Sequence, residues 1–273
     1  MKKQGQIRKA TVLLPIVLLF MNICRAADPE KQQLISADRS GINPKPDVSG
    51  PFELTGINPY TSDTLQKDTN WFPNPSKSRY LLAPSAFNPG RGEGYFQNSY
   101  FIYNSIHLGI TNHISVTSGI GFVPTVGIGG TGQEVLFFVG PKAEFTIADL
   151  LHAGTGILYG SYAGSGTGYT YGLVTYGSEE HNITAGAGWG FWDYKYPGRP
   201  VLTLSGMVRI SRKLGFVTDN WWIPKDKNRK NFFSYGIRIF WENACVDVAF
   251  VNNRDISESI GIGVPYIDVV FQF

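Results

Sequence analysis

Read backwards from its last residue, the chain alternates between two characters. Phe273, Phe271, Val269 and Ile267 are apolar, while Gln272, Val270, Asp268 and Tyr266 between them are mostly polar or amphipathic. A period of two predicts a strand with one greasy face. The same pattern sets Phe233, Tyr235, Ile237, Ile239 and Trp241 against Ser234, Gly236, Arg238 and Glu242. It sets Leu202, Leu204, Val208 and Ile210 against Thr203, Ser205 and Arg209, and Ile183, Ala185, Ala187, Trp189 and Phe191 against Asn182, Thr184 and Gly186. Runs of this kind, bounded by Gly, Asn, Asp or Pro, predict strands over 79–86, 95–110, 114–123, 134–146, 151–162, 167–178, 181–193, 200–211, 214–223, 232–242, 244–252 and 263–273. Two runs alternate poorly: Asn104 interrupts the apolar set of 95–110, and Thr218 and Asn220 leave 214–223 without a clean face.

A soluble sandwich also alternates, but two features favour a barrel in a membrane. Connections at 111–113, 147–150, 179–180, 212–213 and 243 are short, whereas most intervening ones, such as FNPGRGEG (87–94), PTVGIGGTGQ (124–133) and PKDKNRKN (224–231), are longer. Short turns at one end and longer loops at the other mark outer-membrane barrels, whose tilted strands need about 9–11 residues each. Aromatic residues gather at both strand ends: Trp189, Phe191, Trp192, Tyr194, Trp221, Trp222, Phe232 and Phe233 at the long loops, and Phe145, Tyr176, Trp241 and Phe273 at the short turns. Such belts suit the two membrane interfaces. The fold class is therefore all-β, an antiparallel up-and-down transmembrane β-barrel of about twelve strands, with both termini at the short-turn, periplasmic end. The last strand closes against the first, because hydrocarbon tolerates no unpaired edge. Its residues Tyr266, Val269, Phe271 and Phe273 are expected to form a C-terminal signal read by the barrel-assembly machinery.

The first residues change the charge count. Lys2, Lys3, Arg8 and Lys9 precede the apolar run TVLLPIVLLFMNI and a small residue, Ala26. This is the layout of a secretory signal peptide over 1–26. Without its five basic residues, 19 Lys plus Arg face 21 Asp plus Glu, a net of −2, so there is no electrostatic case for nucleic acid. Cys245 would then be the sole cysteine, which excludes a disulfide scaffold. Residues 27–78 are polar and rich in proline and read as a short irregular periplasmic extension; the barrel is assigned to 79–273.

Three stretches, WFPNPSKSRY (71–80), GEGYFQN (92–98) and LSGMVR (204–209), resemble motifs of an uncharacterised outer-membrane β-barrel family of Bacteroidota-type Gram-negative bacteria. The resemblance runs from about Trp71 to the end. It implies fold and location, and no transported solute or catalytic set. That family often carries a small β-rich domain ahead of the barrel, where this chain has only the shortened extension.

On the inward register, Lys142, Glu144, Arg209, Arg238, Glu242, Asp247 and Asp268 form a charged layer in the lower lumen. Such a layer either selects a small polar solute or ties a narrow barrel together by salt bridges. His113, His152 and His181 lie at short turns two strands apart, roughly 10 Å from one another at the usual strand spacing, too far to share a zinc. His107 is expected in the lumen beside Ser105 and Tyr103. An outer-membrane lipid hydrolase needs Ser and His at the outer rim, where these histidines are not, and no G-x-S-x-G is present. The glycine runs GIGGTGQ (127–133) and GSGTGYTYG (164–172) lack the Lys-Ser/Thr of a phosphate loop. The expected protein is thus no enzyme, takes no cofactor and no metal, and contacts outer-membrane lipid. It is a narrow passive pore or structural barrel, the alternative being surface binding through loops at 87–94, 124–133 and 225–231, where Lys225, Lys227, Arg229 and Lys230 are basic.

Overall fold

The computed structural model describes residues 71–124, 133–162, 165–192, 199–225 and 228–273. The expected signal peptide, nearly all of the 27–78 extension, Tyr194, Lys227 and most of the 124–133 loop lie outside the described residues, as do the side chains of Trp192, Lys225 and Arg229.

Twelve strands form one closed antiparallel barrel: β1 (Gly94–Ser99), β2 (Tyr103–Gly109), β3 (Ile114–Pro124), β4 (Gln133–Ala148), β5 (Leu151–Tyr162), β6 (Ser165–Gly177), β7 (His181–Trp192), β8 (Val201–Ser211), β9 (Leu214–Lys225), β10 (Asn228–Phe240), β11 (Ala244–Asn252) and β12 (Val264–Gln272). Each pairs with its neighbours in sequence, and β1 pairs with β12 from Tyr95 opposite Gln272 to Ser99 opposite Asp268. A short helix, α1 (Arg254–Ile260), capped by the Asn253 side chain on Ile256 N, sits in the β11–β12 loop.

The period-two pattern becomes two faces. Ile183, Val208, Ile210, Phe216, Phe233, Ile237, Ile267 and Phe271 are exposed on the outside, while Ser205, Arg209, Ser234, Arg238, Asp247 and Asp268 are buried inside. A continuous apolar exterior of this extent is what hydrocarbon requires and far exceeds the patches soluble monomers expose. Phe145, Tyr176, Trp241 and Phe273 are all exposed at the short-turn end. At the long-loop end the belt divides. In the adjacent pairs Trp221–Trp222 and Phe232–Phe233, alternation sends Trp221 and Phe232 into the interior. In β9 the alternation is unbroken: Val217, Asp219 and Trp221 point inward, and the outward Thr218 and Asn220 bond strand carbonyls of Ser234 and Leu204. The polar residues that blurred this strand therefore cost little in lipid, because they are satisfied locally.

Two expected strands are corrected. Residues 95–110 are not one strand but β1 and β2, joined by three residues, of which Tyr100 and Phe101 have φ of 54° and 62°. Ile102 N closes the turn on Ser99 O at 3.2 Å. Positive φ at both positions is the primed hairpin geometry that normally recruits Asn and Gly, so two aromatics gave no turn signal and hid the break that Asn104 hinted at. Residues 79–86 are not in the wall. They fold back on themselves through an Arg79–Pro84 bridge inside the lumen. The loop at 87–94 is consequently at the short-turn end, where Gly92 N bonds Gly109 O and Phe273 N bonds Gly94 O.

Candidate functional site: a finger in the lumen

The segment from Trp71 to Arg91 enters and leaves the barrel at the same end. Trp71 packs against His181, and Phe72 under Arg212, both at short turns, and the chain returns there at Pro89 and Gly90 beside Gly109. Between these points it forms a finger reaching past mid-height. Its proline content (Pro73, Pro75, Pro84, Pro89) denies it a regular ladder. Buried backbone N–H and C=O groups must nevertheless be paired, and here the wall side chains pair them.

Lys142 on β4 donates through Nζ to three finger carbonyls, Ser78 O at 3.3 Å, Ser85 O at 3.1 Å and Phe87 O at 2.5 Å. Asp219 on β9 accepts Leu82 N at 2.8 Å and Ala83 N at 2.7 Å, and its other oxygen accepts Ser205 Oγ at 2.8 Å. Thr175 Oγ1 accepts Ala86 N at 2.8 Å, and Glu144 accepts Asn88 N at 2.7 Å. Arg238 forms a bidentate pair with Asp247 (2.7 and 2.9 Å) and donates its Nη2 to Tyr80 O at 2.9 Å. Arg209 pairs with Glu180 at 3.0 Å, donates to Phe72 O at 2.8 Å and lies over the Phe240 ring at 3.4 Å.

The finger supplies a charge of its own. Arg79 pairs with Asp268 and curls its Nη1 back onto Tyr80 O and Leu81 O, both at 2.9 Å. Asp268 also accepts Gln97 Nε2 at 3.1 Å. Without Arg79, the carboxylates of Asp247 and Asp268, directly opposed on β11 and β12, would share one cation, Arg238. The finger thus neutralises an acidic pair that burial would otherwise make costly. Tyr80 hydroxyl lies 2.6 Å from both Asn182 Oδ1 and Thr184 Oγ1, and burial pushes its pKa up, so it remains a donor. Tyr266 donates to Leu81 O at 2.9 Å.

Of the seven charges expected in one layer, Lys142, Arg209, Arg238, Asp247 and Asp268 are buried in the lumen and Glu144 is mostly covered. Glu242 is not among them: β10 ends at Phe240, which leaves Glu242 exposed in the turn. Tyr266 departs from Val269, Phe271 and Phe273 in the same way, facing inward to the finger while they face lipid or the interface. Asp219, Glu180, Arg79, Tyr80, Thr175 and Thr184 were missed. Asp219, Thr175 and Thr184 carried the signal of polarity on an inward strand face and Glu180 that of a charge in a short turn, while Arg79 and Tyr80 lay in a stretch read as a strand of the wall. His107 lies in the lumen, stacked on Tyr95 and bonded by Ser105 and Thr117. His152 pairs with Glu144 at 3.3 Å at the short-turn end.

The three motif stretches converge here. Asn74 and Ser78 of the first, Tyr95 and Gln97 of the second, and Ser205, Met207 and Arg209 of the third form one interface: Ser78 Oγ meets Tyr95 hydroxyl at 2.6 Å, and Asn74 Nδ2 reaches Met207 Sδ at 3.6 Å.

No protein-family model matches the sequence, and no curated protein matches it. Among solved structures, the chain is similar to the KdgM porin (TM-score 0.51, 8% identity, covering 66% of this chain and 99% of that one). It is similar also to the KdgM porin in complex with disordered oligogalacturonate (TM-score 0.50, 8% identity, 66% and 98%) and, less closely, to the NanC porin (TM-score 0.42, 9% identity, 66% and 97%). At such identities the likeness shows a shared fold, a porin-like outer-membrane β-barrel. It bears on the wall, and not on the Bacteroidota-type family that the motifs resemble.

Proposed function

We propose that this chain is an outer-membrane barrel held shut at rest by its own finger, and a narrow passive pore for small polar solutes when the finger leaves. The observation that carries the reading is the use made of the lumen charges. Lys142, Asp219 and Arg238 are bonded to finger backbone, so at rest they anchor a stopper and present no selectivity ring. The short-turn end is taken as periplasmic, by the loop asymmetry of such barrels. The finger then inserts from the periplasm, both termini lie there, and the outward Val269, Phe271 and Phe273 are available to the assembly machinery. No hydrolase site is proposed, since His152 and His181 are committed at the short-turn end. Surface binding loses one of its three loops, because 87–94 is at the opposite end from the long loops.

Planar-bilayer recording tests this. The full-length barrel should be silent, and a variant lacking residues 71–90 should pass steady single-channel current. Arg79→Glu, which sets a third carboxylate against Asp247 and Asp268, gives an independent route to an unseated finger. A steady current in the full-length protein, equal to that of both variants, would reject the reading.

A further inference from the structure

The finger does not fill the lumen evenly. Tyr80, Leu81 and Ala83 pack into a dense cluster with Val201, Val217, Trp221, Phe240, Ala249 and Tyr266 on the β8–β12 side. On the β2–β6 side, above the finger, a cavity of about 160 Å³ remains. It exists because the inward positions of β3 are small (Ser115, Thr117, Gly119), and because the bordering rings lie flat over glycines. Phe138 covers Gly119, Tyr171 covers Gly156 and Tyr169 covers Gly188, where an added Cβ would meet the ring.

The walls are aromatic. Tyr103 and Phe138 stack at 5.1 Å with planes 5° apart, and Tyr169 and Tyr171 at 5.6 Å and 22°. Leu81, Leu82, Ile157, Leu158 and Trp221 add to the apolar lining. A conduit for sugars or ions would be expected to present free polar side chains here; this half of the lumen presents ring faces among polar side chains that are already paired. The polar side chains that border the space, Gln97, Ser99, His107, Ser115, Thr117 and Lys142, are already hydrogen-bonded within the wall or to the finger. The hydroxyls of Tyr103, Tyr169 and Tyr171 make no hydrogen bond to another described side chain.

We propose that this cavity binds a small neutral aromatic molecule bearing one hydroxyl group, a phenol in the broad sense. The volume sets the size: an apolar cavity of about 150 Å³ accommodates one benzene ring. The stacked pairs supply offset faces for that ring, and the tyrosine hydroxyls supply partners for its oxygen. The proposal rests on the seated finger, since Ser78, Arg79, Leu81, Leu82 and Pro84 form the floor.

Titration calorimetry of the full-length protein in detergent with p-cresol, against a micelle blank, tests it. One saturable site per chain is expected. Leu158→Trp fills the cavity from the wall, and Leu82→Phe fills it from the finger without touching strand pairing; each should weaken binding by about tenfold or more. No saturable heat above the blank, or equal binding by wild type and both variants, would overturn the proposal. Failure of binding in a barrel that is silent in the bilayer removes the site and leaves the closed-barrel reading standing. Failure in a barrel that conducts shows that the floor itself is absent.

Discussion

Asp219→Ala isolates the contribution of one wall side chain to seating the finger. The carboxylate accepts two adjacent finger amides, Leu82 N and Ala83 N, and is itself fully buried. Alanine leaves both amides without an acceptor in a place water reaches poorly. Each orphaned donor costs about 1–3 kcal/mol, so the gross loss is about 2–6 kcal/mol. Part is offset, because the variant no longer buries a charge, and a net near the lower end, about 2–3 kcal/mol, is expected. That changes the ratio of seated to unseated finger by roughly 30- to 150-fold. Ala83, 1% exposed at the finger's tip, is the reporter position. In a Cys245→Ala background, which removes the native thiol that the finger covers, an Ala83→Cys protein should react slowly with a membrane-impermeant maleimide, and adding Asp219→Ala should raise the rate by that factor. A rate unchanged within about twofold would refute the idea that Asp219 holds the finger by its backbone.

Other consequences follow from the same geometry. Ile237→Lys places a charge on the lipid face of β10, where Ile237 is 40% exposed, and should destabilise the barrel by about 2–4 kcal/mol in a urea titration in lipid vesicles. Phe101→Gly relieves a left-handed non-glycine residue that is 85% exposed and should stabilise by about 1 kcal/mol in the same titration. Tyr80→Phe removes the hydroxyl shared by Asn182 and Thr184; about 1 kcal/mol of finger stability should be lost, read as faster maleimide reaction at Ala83→Cys with no change in unfolding of the wall.

The wall was legible because membrane barrels write their faces into every second residue. Ile237 out and Arg238 in could be read directly, as could Val269 out and Asp268 in. What could not be read was partnership. Alternation says that Asp219 points inward, but not that a proline-rich segment some 136 residues earlier supplies the amides it accepts. Residues 79–86 looked like a strand because Tyr80, Leu81 and Leu82 are apolar, yet their apolarity serves an interior contact with β8–β12. The β1–β2 turn escaped because its two left-handed residues are aromatic rather than Asn or Gly. The lumen charges were found by face and misjudged in role, since nothing along the chain distinguishes a lysine that lines a pore from one that grips three carbonyls.

The claim beneath all of this is that the segment around Ser76 lies inside the barrel against β11. Ser76 Oγ is 3.4 Å from Cys245 Sγ, with both residues buried. In a Ser76→Cys protein, mild oxidation of intact outer membranes should join the two thiols and tether the finger to the wall. The account predicts a single intramolecular disulfide, formed in the folded barrel and not in the urea-unfolded chain. Two thiols that remain free and are both alkylated after oxidation of the folded protein would contradict it.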